Sequence, residues 1–139
     1  MVIDVLSASL ISLLKEAGDI IKERKSTYIA RRRSLSDYTT ATDMEVERFI
    51  VSHLQKLSPE SVIVAEESSS SRDKAQLCNK AFVLDPIDGT VNFYHNYPAF
   101  AISLAYVERG TVQRGYIYDP INEEFFSVVR GKGAFLNGT

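Results

Sequence analysis

Apolar side chains recur every three or four residues near the start of the chain, at Ile3, Leu6, Leu10, Leu13, Leu14, Ala17, Ile20 and Ile21. Lys15, Glu16, Asp19, Lys22 and Glu23 occupy the positions between them. This pattern predicts a long amphipathic helix over roughly residues 2 to 25. Thr42 with Glu45 three residues on has capping-box spacing and predicts the start of a second helix. Met44, Phe49, Ile50, Leu54 and Leu57 continue it until Ser58-Pro59, because proline lacks the N–H that the next turn would need. Between the two, Thr27 to Arg31 and Leu35 to Thr40 predict a short hairpin.

From Val62 onward the pattern changes. Val62 to Ala65 and Ala81 to Leu84 are unbroken apolar runs, the signature of buried strands. Ser68 to Lys80 is polar and serine-rich and reads as a mobile surface loop. Phe100 to Val107, Val112 to Tyr118 and Glu124 to Val129 predict three more strands, separated by Arg109-Gly110 and by Asp119-Pro120 with Asn122. Their short connections require antiparallel neighbours. The expected fold class is therefore α+β, two helices packed on a mainly antiparallel sheet, in a single domain over residues 1–139. Asn137-Gly138 is a strong hairpin-turn dipeptide, so a returning strand is expected beyond Thr139.

Composition narrows the class. With 45% apolar and 24% charged residues in 139, the chain can bury a core and is neither disordered nor fibrous. A formal net charge of -2 points to no nucleic-acid or membrane partner. The apolar stretches are shorter than a membrane span. Cys78 is the single cysteine, so no internal disulfide is possible, and no basic-then-apolar leader opens the chain. The cytoplasm is the expected compartment.

The segment richest in chemistry is Val83-Leu84-Asp85-Pro86-Ile87-Asp88-Gly89-Thr90. An apolar strand delivers Asp85 at its end, Pro86 biases Asp85 towards extended backbone, and Thr90 can cap a short helix. Two carboxylates three residues apart then lie beside free N–H groups, which suits a hard cation and a phosphate together. Glu66-Glu67 ends the other apolar run, and can approach Asp85 if the two strands are neighbours. Asp43, in the first turn of the second helix, is a further candidate. Two such charges about 4 Å apart repel by ~4 kcal/mol at an effective dielectric near 20, so the group needs divalent cations or protons. No Cys/His cluster is present, and an all-oxygen set favours magnesium or manganese over zinc.

Each piece also has a plainer reading: Asp85 to Gly89 as a solvated turn, Glu66-Glu67 as surface, Asp43 as a charge favoured at a helix start. The joint placement of acidic groups at two apolar strand ends favours a site. His53 reads as packing or surface; His95 follows the acidic segment closely enough to approach a substrate, though that is the lesser reading of it. Arg31-Arg32-Arg33 reads as a solvated strand edge and Cys78 as a loop residue without a base. Gly131-Lys-Gly133 lacks the endings of nucleotide-binding loops and reads as a turn.

Four segments, Asp37-Tyr-Thr-Thr-Ala-Thr-Asp43, Ala65-Glu-Glu-Ser68, Leu84-Asp-Pro-Ile-Asp-Gly-Thr-Val-Asn-Phe93 and Gly131-Lys-Gly-Ala-Phe-Leu-Asn-Gly138, resemble successive signatures of the inositol monophosphatase family, in the family's order. Ala65 stands where the family commonly has glycine. The resemblance implies that this is the N-terminal part of a layered α/β/α/β/α sandwich, with two or three Mg²⁺ ions, lithium sensitivity and a homodimer. It implies Glu66, Asp85 and the Ile87 carbonyl as ligands of one metal, with Asp85 bridging to a second held by Asp88. Asp43 would reach a third ion through water. Gly89 and Thr90 N–H groups would hold phosphate, and Glu66 with the Thr90 hydroxyl would orient the attacking water. Catalysis would thus rest on Glu66, Thr90 and Asp43, and substrate binding on Glu66, Ile87, Asp88, Gly89 and Thr90. Family members carry a second α/β half that supplies another aspartate ligand and most contacts to the alcohol. The implied reaction is magnesium-dependent hydrolysis of a small phosphate monoester such as inositol monophosphate. Histidinol phosphate, fructose bisphosphate or a phosphonucleotide are sister substrates, and a non-catalytic metal-binding or assembly module is the rival from another class.

Overall fold

The computed structural model describes residues 4–25, 41–68 and 79–139. The first helix, α1 (Val5–Lys25), begins three residues later than the periodicity alone suggests. Asp4 is the reason: its Oδ1 accepts the Ser7 N–H at 2.9 Å, capping the helix at that point. The second helix, α2 (Ala41–Leu57), already contains Thr42 as a buried helical residue. The capping box expected from Thr42 and Glu45 is therefore not formed, and Glu45 pairs instead with Arg24 of α1 through two bonds of 2.8 Å. The expected hairpin, the arginine run and Cys78 lie outside the described residues.

Six strands follow in sequence order across one sheet. They are β1 (Val62–Ala65), β2 (Lys80–Asp88), β3 (Ala101–Glu108), β4 (Thr111–Asp119), β5 (Glu124–Val129) and β6 (Gly133–Leu136), with a short helix α3 (Thr90–Tyr94) between β2 and β3. Among the described residues only β1 and β2 run parallel, with Ala65 opposite Leu84, and every other pair is antiparallel. The expected α+β layering is what the chain adopts. The bounds of β2, β3 and β4 differ from those expected, those of β2 by the most. Lys80 belongs to β2, not to the preceding loop, and β2 runs on past Asp85 to Asp88. It does so because Asp85 pairs with Ser103 and Asp88 with Ala101, while a register shift between them absorbs Pro86, which has no N–H to donate.

β6 was not expected. Its four residues, Gly133 among them, are too few to show alternation, and its pairing with β5 shows that Gly133 to Leu136 is a strand after the turn at Gly131. The Asn137-Gly138 turn forms as its composition demands. Both residues have positive φ, 50° and 86°, and Leu136 and Thr139 exchange backbone hydrogen bonds of 3.0 and 3.1 Å across it.

The core lies between the helices and one face of the sheet. Leu10, Leu14, Ala17 and Ile21 of α1 and Val46, Ile50 and Leu54 of α2 pack with Phe82, Leu84, Ile102, Leu104, Tyr116, Tyr118 and Phe125. The opposite face carries Val83, Ile117, Phe126, Val128 and Leu136, all partly exposed. A shallow groove of about 420 Å³ runs along it, floored by Ala105, Gly115 and Ala134.

Candidate metal and phosphate site

Parallel pairing of β1 and β2 sets their carboxyl ends side by side. Glu66, the residue after β1, donates its N–H to the Leu84 carbonyl at 3.0 Å and so continues the ladder by one rung. One residue further along the neighbouring strand is Asp85. The two carboxyl groups meet, and a hydrogen bond between them helps to push the Asp85 carboxyl up to about 7. Burial of Asp85 is the largest cause, followed by that hydrogen bond and the charges of Glu66 and Asp88. The Ile87 N–H, donating to Asp85 Oδ1 at 3.2 Å, works in the opposite direction.

The bulge at Pro86-Ile87 turns the strand so that Asp88 closes it, exposed, and Gly89 begins α3. Gly89 has φ 96°, a left-handed conformation that disfavours side chains, and a Cβ there would stand 2.8 Å from the Ala99 carbonyl oxygen. Gly89, rather than Thr90, takes the N-cap position. Thr90 does something else. Its hydroxyl lies 2.9 Å from the Ile87 carbonyl oxygen and 3.2 Å from Asp43 Oδ1, one proton between two acceptors. Asp43 is fully buried in α2, so the hydroxyl is tied at once to the helix layer and to the strand end.

The structure thus gathers Glu66, Asp85, Asp88, Thr90 and Asp43, together with Ile87 and Gly89, at one end of the sheet. His53 and His95 stay outside. His53 is exposed on α2 with Nδ1 2.8 Å from the Phe49 carbonyl oxygen, and His95 is exposed at the end of α3, edge-on to Tyr94. Glu47 is a residue that sequence reasoning passed over. It is 4% exposed, one helical turn after Asp43, and its Oε2 accepts the Glu67 N–H at 2.9 Å. Its signal was present: Asp43 and Glu47 are acidic residues on the same stripe as Val46, Ile50 and Leu54.

The donor atoms are all oxygen. Among the described residues no three carboxylate, imidazole or thiolate side chains form a cage around a common point. An all-oxygen donor set is of the kind that magnesium or manganese takes and zinc does not favour. The crowding that holds a proton near neutrality on Asp85 is what a divalent cation would relieve.

Acidic side chains thus converge at parallel strand ends beside a glycine-led helix. The chain belongs to the inositol monophosphatase family, whose model matches residues 3–139. Inositol monophosphatase 1 of Bos taurus is 32% identical over 131 residues, covering 92% of this chain and 47% of that protein. Fructose-1,6-bisphosphatase/inositol-1-monophosphatase of Thermotoga maritima is 35% identical over 130 residues, covering 92% and 49%. The crystal structure of extragenic suppressor protein suhB from Bartonella henselae superposes with a TM-score of 0.84 at 31% identity, covering 96% of this chain and 52% of that one. The chain spans about half the length of the curated relatives it matches.

Proposed function

We propose that residues 1–139 form the metal- and phosphate-binding domain of a magnesium-dependent phosphatase acting on a small phosphate monoester, inositol monophosphate or a similar polyol phosphate. The observation that carries this reading is the meeting of Glu66 and Asp85 across the carboxyl ends of β1 and β2, with Asp88 adding its charge. Glu66, Asp85, Asp88 and the Ile87 carbonyl would hold the cations, with Asp43 in outer contact. Magnesium, when bound, supplies an acidified water and neutralises phosphate charge. Manganese would serve the same donors.

The chain's own residues do the rest. The N–H groups of Gly89 and Thr90, at the start of α3, donate to the phosphate, since first-turn N–H groups have no partner within their own helix. The Thr90 hydroxyl, fixed between Asp43 and Ile87, and the Glu66 carboxylate orient the attacking water, and the carboxylate can accept its proton. No side-chain nucleophile is required. The family resemblance extends the proposal to a cytoplasmic homodimer inhibited by lithium.

The test is phosphate release from a panel of esters by the full-length protein with and without Mg²⁺. Asp88→Asn and Asp85→Asn should each lower turnover by about a hundredfold or more, as loss of one electrostatic group does elsewhere, while leaving the fold intact by circular dichroism. Turnover by Asp88→Asn close to that of the unaltered protein would remove Asp88 from the mechanism. A second reading keeps the chemistry and exchanges the ester. It is favoured by the Thermotoga relative, whose name joins fructose-1,6-bisphosphatase to inositol-1-monophosphatase. The same panel decides between them through kcat/KM for inositol monophosphate against fructose bisphosphate.

A further inference from the structure

We infer that Glu47 is a positioning residue for the metal site, anchoring the turn that carries Glu66 to α2. The inference rests on the metal-site reading above. A carboxylate as buried as Glu47 is costly unless its oxygens find donors. Its Oε2 accepts the N–H of Glu67 at 2.9 Å, a charge-assisted bond to backbone that is stronger than a neutral one.

The location gives this bond its consequence. The β1–β2 ladder ends with the Glu66 N–H on the Leu84 carbonyl, and residues 66–68 form a turn. Glu66 is held from the sheet side by Leu84 and, through the next peptide, from the helix side by Glu47. A rotation of the Glu66–Glu67 peptide would carry the Glu66 side chain away from Asp85. One turn earlier on the same helix, Asp43 meets the Thr90 hydroxyl at 3.2 Å. α2 therefore sends one buried carboxylate to the end of β1 and another to the end of β2, and sets the spacing of the two halves of the site. Packing alone would be served by leucine at position 47, between Val46 and Ile50, but leucine leaves the Glu67 N–H without its acceptor. The carboxylate adds direction.

The experiment compares the full-length protein with Glu47→Leu, Glu47→Asp and Glu47→Gln, using calorimetric titration with Mg²⁺, the metal-free thermal midpoint, and amide exchange at Glu67. Glu47→Gln retains an acceptor of the same reach and should bind Mg²⁺ within about threefold of the unaltered protein. Glu47→Leu loses the acceptor, and Glu47→Asp keeps the charge but loses the reach. Both should weaken Mg²⁺ binding by about 10- to 100-fold, the usual cost of losing a group that orients a ligand. A purely structural residue would lower the midpoint and leave metal affinity alone. Folded Glu47→Asp or Glu47→Leu protein with unaltered Mg²⁺ affinity overturns the inference. If the unaltered protein binds no Mg²⁺, the metal-site reading fails by itself. Exchange at Glu67 then decides the anchoring: faster exchange in Glu47→Asp supports it, and unchanged exchange rejects it.

Discussion

An aspartate that titrates near 7 behaves unlike its unfolded counterpart, whose ordinary value is 3.8. Between about pH 4 and pH 7 the folded chain holds a proton on Asp85 that the unfolded chain has released. The metal-free protein therefore loses stability as pH rises through that window, and the loss is complete above it. Excess Mg²⁺ favours the charged form, so the rise in thermal midpoint on adding it should grow from pH 6 to pH 8. Thermal unfolding with and without the ion at each pH measures this, and a metal effect that ignores pH contradicts it. Gly89→Ala should cost about 1–3 kcal/mol by chemical denaturation, because the new Cβ meets both a left-handed backbone and the Ala99 carbonyl. At this scale the sequence was informative about identity and silent about partners. Glu66, Asp85, Asp88 and Thr90 could be singled out from composition at strand ends. That Thr90 hydrogen-bonds to Asp43, 47 positions away, could not, because nothing in the local pattern encodes which helix residue faces which strand end.

Two features of α1 decide how that helix sits. Gly18 lets it approach the sheet so closely that a Cβ there would stand 2.5 Å from the Tyr118 ring and 3.1 Å from Pro120. Gly18→Ala gains about 1 kcal/mol of helix propensity against an overpacking cost of about 1–3 kcal/mol. Equilibrium unfolding should therefore report a net loss of up to about 2 kcal/mol. At its other end, Asp4 both caps the helix and accepts two bonds from Arg114 of β4, at 2.6 and 2.7 Å. Those donors hold the Asp4 carboxyl below its ordinary value, the Ser7 N–H being the largest cause. The stabilisation is present above the ordinary value and is lost as pH falls through the lowered one. Asp4→Ala should cost about 1 kcal/mol at neutral pH, the usual worth of a cap, and should narrow the gap to the unaltered protein in strong acid. Helix identities and the middle strands were legible because their periods span many residues. The capping box was misread because spacing alone cannot tell a cap from the second residue of a helix, and β6 was missed because its four residues, one of them glycine, are too few to show alternation.

Across the whole molecule, the helices cover one face of the sheet and leave Val83, Ile117, Phe126, Val128 and Leu136 partly exposed on the other. A contiguous apolar face of this kind binds apolar dyes and promotes association. The 139-residue chain should therefore bind such a dye, and Phe126→Lys with Val128→Lys should reduce the signal without lowering the midpoint. Unchanged dye binding would place the sticky surface elsewhere. Among the described residues no helix is long and apolar enough to cross a membrane.

The sequence by itself determined the helices, most strands, the antiparallel order of the later ones, and which acidic residues stand at the strand ends. These properties are local or periodic, and a window of residues carries them. Tertiary structure decided that β1 lies beside β2 in parallel, that Asp43 sits under Thr90, and that Glu47 reaches the Glu67 peptide. Each of these contacts closes a long loop of chain. Which contacts close depends on how the two faces of a shared core pack, and no segment states that alone.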